Sequence, residues 1–164
     1  MSKRVLQYAG AIVTILCIAA APAPASTQPS VTAGGGDLLP AQFGEFAGDR
    51  VQLDVTAHQR PDGSPQGRFS YVHHNAPGVL ARGSGIVTCL TVNADRAVVT
   101  GVITEGAFRG GGDPSGEIAT FTLVNNGTTD VAGFAFSFRD GPLVPCAPGP
   151  TFLVLSQGSI TVRG

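Results

Sequence analysis

From Arg50 onward apolar and polar positions alternate with a period of two, and Gly or Pro interrupts every window long enough for a helical stripe. That pattern predicts short strands joined by turns and no helix. Along Arg50 to His58, Val51, Leu53, Val55 and Ala57 fall on one face, while Gln52, Asp54 and Thr56 fall on the other. Pro61-Asp62-Gly63-Ser64 reads as the turn. The pairing that keeps both faces intact sets Phe69 opposite Ala57, Tyr71 opposite Val55 and His73 opposite Leu53.

A second hairpin is expected from Leu80 to Glu105, turning at Asn93-Ala94-Asp95-Arg96, with Ile86 opposite Ile103, Leu90 opposite Val99 and Val92 opposite Ala97. Its other face carries Val87, Cys89, Val98 and Val102, so something must cover that face too. Pro142 to Leu155, apolar and broken by prolines, is the candidate cover, and it contains Cys146. After a glycine-rich loop from Gly106 to Gly116, a third hairpin runs from Glu117 to Arg139 around Asn125-Asn126-Gly127. It places Ala119, Phe121 and Leu123 on the same face as Phe134, Phe136 and Phe138, an aromatic surface read as core. Ile160 and Val162 form a last strand able to pair with the first.

The expected fold class is therefore all-β: a single-domain antiparallel meander of about seven strands, closed into a small barrel or folded as a sandwich. An immunoglobulin domain is disfavoured. The chain has no Trp, Cys146 lies between Pro145 and Ala147, and no Tyr precedes it by two residues.

The start of the chain reads as an export signal. Lys3 and Arg4 precede an apolar run from Ala11 to Ala21, and Ala23-Pro24-Ala25 supplies a cleavage site, so residues 1–25 are expected to be removed and Ser26 to begin the mature form. Cys17 leaves with the signal, since Leu16 and further apolar chain flank it rather than a lipidation site. Residues 26–41, rich in Pro, Gly, Ser and Thr, read as a flexible lead-in, with the domain at 42–164. The apolar run is too short for a bilayer, which takes roughly 20 residues, and no membrane span is expected in the mature chain.

Without Lys3 and Arg4 the ten basic residues become eight, all Arg, against eleven acidic ones, a formal charge of −3. The arginines stand singly along the chain, so neither nucleic acid nor an anionic membrane is an expected partner. Two cysteines remain, Cys89 and Cys146. In an oxidising compartment they read most simply as a disulfide. Free buried thiols or a metal pair are the rivals, the latter weakened by the absence of a C-x-x-C spacing or a nearby His.

The stretch from Gly67 to Gly106 carries a Gly-x-Phe-x-Tyr strand (Gly67, Phe69, Tyr71), a V-T-C-L-x-V strand (Val87 to Val92) and an A-x-V-x-G strand (Ala97, Val99, Gly101). In these it resembles a group of small, uncharacterised exported bacterial proteins. The resemblance implies an all-β secreted domain and brings no activity or site residue with it.

Candidate chemistry rests on three histidines. His58 is placed at the turn end of the first hairpin and His73 and His74 at the other end, on opposite faces, so no shared metal site is expected. Asp54, diagonal to His74, supplies two thirds of a hydrolase triad, but Ser70 is an ordinary strand residue without a G-x-S-x-G elbow. Arg109-Gly110-Gly111-Gly112-Asp113 lacks the ending and the helix of a phosphate loop. Asn126-Gly127-Thr128 fits a glycosylation pattern but, in a chain resembling bacterial proteins, reads as a turn. The expected function is a secreted, non-catalytic binding or envelope-associated module with no cofactor and an extracellular or envelope partner. One alternative is a small barrel holding an apolar ligand against Phe121, Phe134, Phe136 and Phe138, and another is a hydrolase using His74 and Asp54.

Overall fold

The structure is a computed structural model that describes residues 28–164. The export signal expected at 1–25, Cys17 and the first two residues of the expected lead-in lie outside the described residues. The rest forms nine strands: β1 Ser30–Leu38, β2 Arg50–Gln59, β3 Pro65–Asn75, β4 Gly78–Asn93, β5 Arg96–Phe108, β6 Ile118–Val124, β7 Val131–Phe136, β8 Leu153–Val154 and β9 Gln157–Arg163. Two short helical pieces, which the alternation did not predict, interrupt them: a 3-10 segment, Ala41–Phe46, between β1 and β2, and a single α-helical turn, Ser137–Asp140, after β7.

All nine strands belong to one antiparallel sheet in the order β8-β7-β6-β5-β4-β3-β2-β1-β9. At its ends β8 pairs with β7 and β9 with β1, yet only Leu155 and Ser156 separate β8 from β9. Three chain steps of about 3.8 Å hold the two edges within roughly 11 Å, so the sheet curls into the form of a small barrel with a seam. Two aspartates tie that seam. Asp130 accepts the Ile160 N–H on its carboxylate and the Leu155 N–H on its carbonyl, and the Asp37 carboxylate accepts the Ser156 N–H at 3.1 Å.

The core lies inside the curl, where inward positions of every long strand meet. Leu53, Val55, Phe69, Val99, Ile103 and Phe121 are each at most 2% exposed. Phe69 stands opposite Gly85, and side-chain atoms added at Gly85 or Gly101 would meet its ring at 2.4 and 2.6 Å. Tyr71 likewise lies over Gly83. Large rings thus occupy volume that the facing strands leave open, and this is how one layer of sheet fills its own interior.

Four sequence expectations need correction. The flexible lead-in at 26–41 instead contains β1, which inserts between β2 and β9, so the last strand pairs with β1 and the sheet begins well before residue 42. The glycines that read as flexibility serve close approach: at Gly35, φ 145°, a side chain would lie 2.1 Å from the Gln157 carbonyl. In the first hairpin Phe69 faces Val55, Tyr71 faces Leu53 and His73 faces Val51. Both faces are as expected, but the register moves by two because Gly63, φ 83°, closes a three-residue loop under the Arg60 N–H to Ser64 carbonyl bond.

In the second hairpin Leu90 faces Val99 and Val92 faces Ala97, as the alternation predicts. A bulge between Val87 and Cys89 then sets Ile86 opposite Val102 rather than Ile103. One extra residue exchanges the faces beyond it: Val87 turns into the core and Ile86 becomes 52% exposed. Finally, Phe138 sits on the helical turn rather than on β7.

The covering segment is in place over Val98, though not over Val87, which the bulge has turned into the core. Cys89 and Cys146 are bonded, with Cα atoms 5.8 Å apart, and the strap they anchor crosses the outer face of β5 and β6. Beneath it Thr100, Thr120 and Thr122 are buried with Val98. The Cys146 N–H donates to Thr100 Oγ1 at 2.9 Å, Thr100 and Thr120 share a hydroxyl bond at 2.9 Å, and the Gly149 N–H donates to Thr122 Oγ1 at 2.8 Å. Hydroxyls at outward positions therefore satisfy backbone groups of the proline-broken part of the strap, ahead of the point where β8 pairs with β7.

Candidate functional site

The meander puts the β1–β2 connection, the β3–β4 turn, the β5–β6 loop and the end of β7 at one end of the barrel. There the interior is not filled. A cavity of about 260 Å³ opens between Val51 on β2, Tyr71 and His73 on β3, Leu80 and Ala81 on β4, Phe108 on β5, and Phe134 and Phe136 on β7. Leu39 and Phe46 from the β1–β2 connection and Phe138 from the helical turn complete the wall. Phe138 stacks on Phe136 at 5.2 Å between centroids, Phe108 meets Phe138 edge-on at 5.1 Å, and Tyr71 packs on Phe136 at 4.4 Å.

The helical turn is held where it can do this. Ser137 Oγ accepts the Ile118 N–H at 2.8 Å, and the Asp140 carboxylate accepts the Phe136 N–H at 2.9 Å. Arg139 pairs with Asp140 and lies over the ring of Phe43, 5.7 Å from its centroid. Across the mouth, Arg109 donates through Nε to the Val79 carbonyl at 3.0 Å.

Few polar groups face this space. His73 Nε2 and Asp49 Oδ2 are 2.9 Å apart at the rim, and Phe46 meets the His73 ring edge-on at 5.5 Å. Deeper, Tyr71 is 4% exposed, and among the described residues its hydroxyl has no hydrogen-bond partner. Burial pushes its ionisation up to about 12, so at ordinary pH it is a neutral donor.

The expected site residues are arranged differently. Of the four phenylalanines proposed to contact an apolar ligand, Phe134, Phe136 and Phe138 line the cavity. Phe121 instead lies in the core, 5.1 Å from Phe69. His74 pairs in register with Arg50, and Asp54 is four residues further along β2, opposite Ser70. At about 3.4 Å per residue the two are separated by roughly 14 Å and form no dyad.

His74 and His73 diverge, the former toward the outer surface beside Arg50 and Asn75. His58, opposite Gln66, stands at the other end of the barrel. The histidine–carboxylate pair that does form, His73 with Asp49, was missed because Asp49 sits in the irregular β1–β2 connection, where no periodicity assigns it a face. Among the described residues, no Ser, Thr or Cys lines the cavity beside that pair. Among the described residues, no three His, Cys, Asp or Glu gather as metal ligands and no helix is long and apolar enough to cross a membrane. No family model, no curated protein and no solved structure matches the chain.

Proposed function

We propose that this protein is a secreted, non-catalytic binding domain that carries a small apolar molecule in the end of its barrel. The observation that supports the reading is the cavity, walled largely by aromatic and aliphatic side chains at one end of the barrel. Its volume of about 260 Å³ lies just below the ~300–1,000 Å³ of drug-sized sites, so the cargo is compact. The export reading of residues 1–25, together with the Cys89–Cys146 bond, supports an extracytoplasmic setting.

Naphthalene, a compact hydrocarbon, is a suitable first ligand. Titration calorimetry of the disulfide-bonded protein should give saturable one-to-one binding, and amide shifts in NMR should cluster at Ala81, Phe108 and Phe136. Ala81→Phe, which fills the space, should abolish the heat while leaving the far-ultraviolet spectrum unchanged. Non-saturable partition, or binding indifferent to Ala81→Phe, would remove the basis of the proposal.

A further inference from the structure

The lining of the cavity includes three basic side chains, His73, Arg109 and Arg139, and among the described residues no Asp or Glu. Two of the three have a carboxylate partner just outside it. His73 Nε2 lies 2.9 Å from Asp49, and Arg139 spends Nε and Nη2 on the two carboxylate oxygens of Asp140, at 2.9 and 3.2 Å. Arg109 pairs with no carboxylate among the described residues. Asp113, in the same loop, is taken by the Ser115 N–H and hydroxyl at 2.9 and 2.6 Å. The Arg109 N–H donates to the Leu80 carbonyl at 2.9 Å and its Nε to the Val79 carbonyl at 3.0 Å, which fixes the exposed head group beside the β3–β4 turn at the mouth. With Nε taken, the outer fork of the guanidinium, Nη1 and Nη2, is the part left to bind. We infer that the cargo is an amphiphile, with its apolar body in the cavity and one carboxylate at the mouth, held by the Nη1 and Nη2 groups of Arg109.

The inference rests on the cavity being a binding site and adds the head group of its ligand. Hydrocarbon walls such as Leu80, Ala81, Phe134 and Phe136 hold the body of any apolar molecule alike, so the head group is selected at the rim. A carboxylate there meets an uncompensated positive charge and no like charge in the lining, whereas a cationic head would face Arg109 and Arg139. Its planar oxygens match the two parallel N–H groups at the end of a guanidinium. The charge also stays at the exposed edge, where water still reaches it, so the cost of burying an ion is avoided. Exposure limits the gain for the same reason, and the preference for an anion is modest.

The test compares octanoate with 1-octanol, which has the same chain length and an uncharged head. Calorimetry is run on the wild type, Arg109→Gln and Arg139→Gln, with naphthalene as the control for the cavity itself. The wild type should bind octanoate more tightly than 1-octanol. Arg109→Gln should weaken octanoate about three- to fivefold, the upper range for one exposed ion pair, and leave 1-octanol and naphthalene unchanged. Arg139→Gln should have the smaller effect on octanoate, because Asp140 already holds that guanidinium. Raising the salt from about 0.1 to about 1 M should weaken octanoate relative to 1-octanol. If naphthalene binds while octanoate is indifferent to Arg109→Gln, or binds the wild type no more tightly than 1-octanol, the head-group assignment is wrong and the cavity reading stands. Equal weakening of all three ligands by Arg109→Gln would overturn it too, since Arg109 would then shape the mouth rather than hold an anion. So would a larger loss of octanoate binding from Arg139→Gln. If naphthalene itself fails to bind, the cavity reading falls, and the head group falls with it.

Discussion

Replacing Thr100 by valine removes one hydroxyl and almost no volume, but it breaks the centre of the strap's attachment. Thr100 is fully buried, accepts the Cys146 N–H at 2.9 Å and shares a second bond with the Thr120 hydroxyl at 2.9 Å. The substitution orphans both partners, at about 1–3 kcal/mol for each polar group left buried. The new methyl returns about 1 kcal/mol of apolar burial, and the Cys146 amide, only partly buried, recovers some hydration. The net loss should be about 2–3 kcal/mol, a large share of the roughly 5–15 kcal/mol that stabilises a domain. Urea unfolding with the disulfide intact measures it, as a lower midpoint at unchanged slope. Thr100→Val combined with Thr120→Val removes one of the two orphans, so the double variant should be about 1 kcal/mol more stable than the single one. A single-variant loss below about 0.5 kcal/mol, the scale of a neutral surface change, or a double variant worse than the single, would refute the account of the strap.

Cys146→Ser opens a loop with a sequence separation of 57 and should cost about 4 kcal/mol in urea unfolding if loop entropy dominates. Gly101→Ala places a carbon 2.6 Å from the Phe69 ring and 2.3 Å from the Ile86 carbonyl, and calorimetric melting should show a loss of about 1–3 kcal/mol from overpacking. Tyr71→Phe in the ligand-free protein should leave stability unchanged or raise it by up to about 1 kcal/mol in the same melts, because no hydrogen bond is lost with the oxygen. The Asp37 carboxyl is held below its ordinary range by hydrogen bonds from the Ser156 side chain and then the Leu38 N–H. Its contribution is therefore present above the unfolded value and lost as pH falls through the lowered folded one. Acid unfolding of the wild type should steepen below about pH 4 relative to Asp37→Ala, and parallel curves would contradict the seam contact.

What was legible in the sequence was whatever depends on period-two alternation. Val51, Leu53, Val55 and Ala57 point inward as read, and so do Phe69 and Tyr71, because a register error of two residues leaves every face unchanged. An error of one residue is not forgiven. The bulge between Val87 and Cys89 reverses Ile86 and Val87, and no residue type there announces it. β1 escaped notice because only Val31 and Ala33 bury side chains in it. Its Gly34-Gly35-Gly36 run looks like a linker when the neighbouring strands that need the space are not in view.

The site shows the same dependence on alternation, with a different consequence. Three of the four aromatic residues read as a ligand surface line the cavity, since Phe134 and Phe136 lie on one face of β7 and the helical turn swings Phe138 over the same opening. Faces, however, do not report depth. Phe121 shares their face and even stands opposite Phe134 in register, yet it is fully buried in the core against Phe69. Polar pairing is harder still, because it depends on register rather than on face. The two-residue move that left the core intact carried His74 opposite Arg50, far from Asp54, and brought His73 to the rim where Asp49 approaches from an irregular connection. A core tolerates a slip by a whole repeat because any apolar neighbour will serve. A hydrogen bond requires one particular atom within about 3 Å, so chemistry read from a strand pattern is only as good as its register.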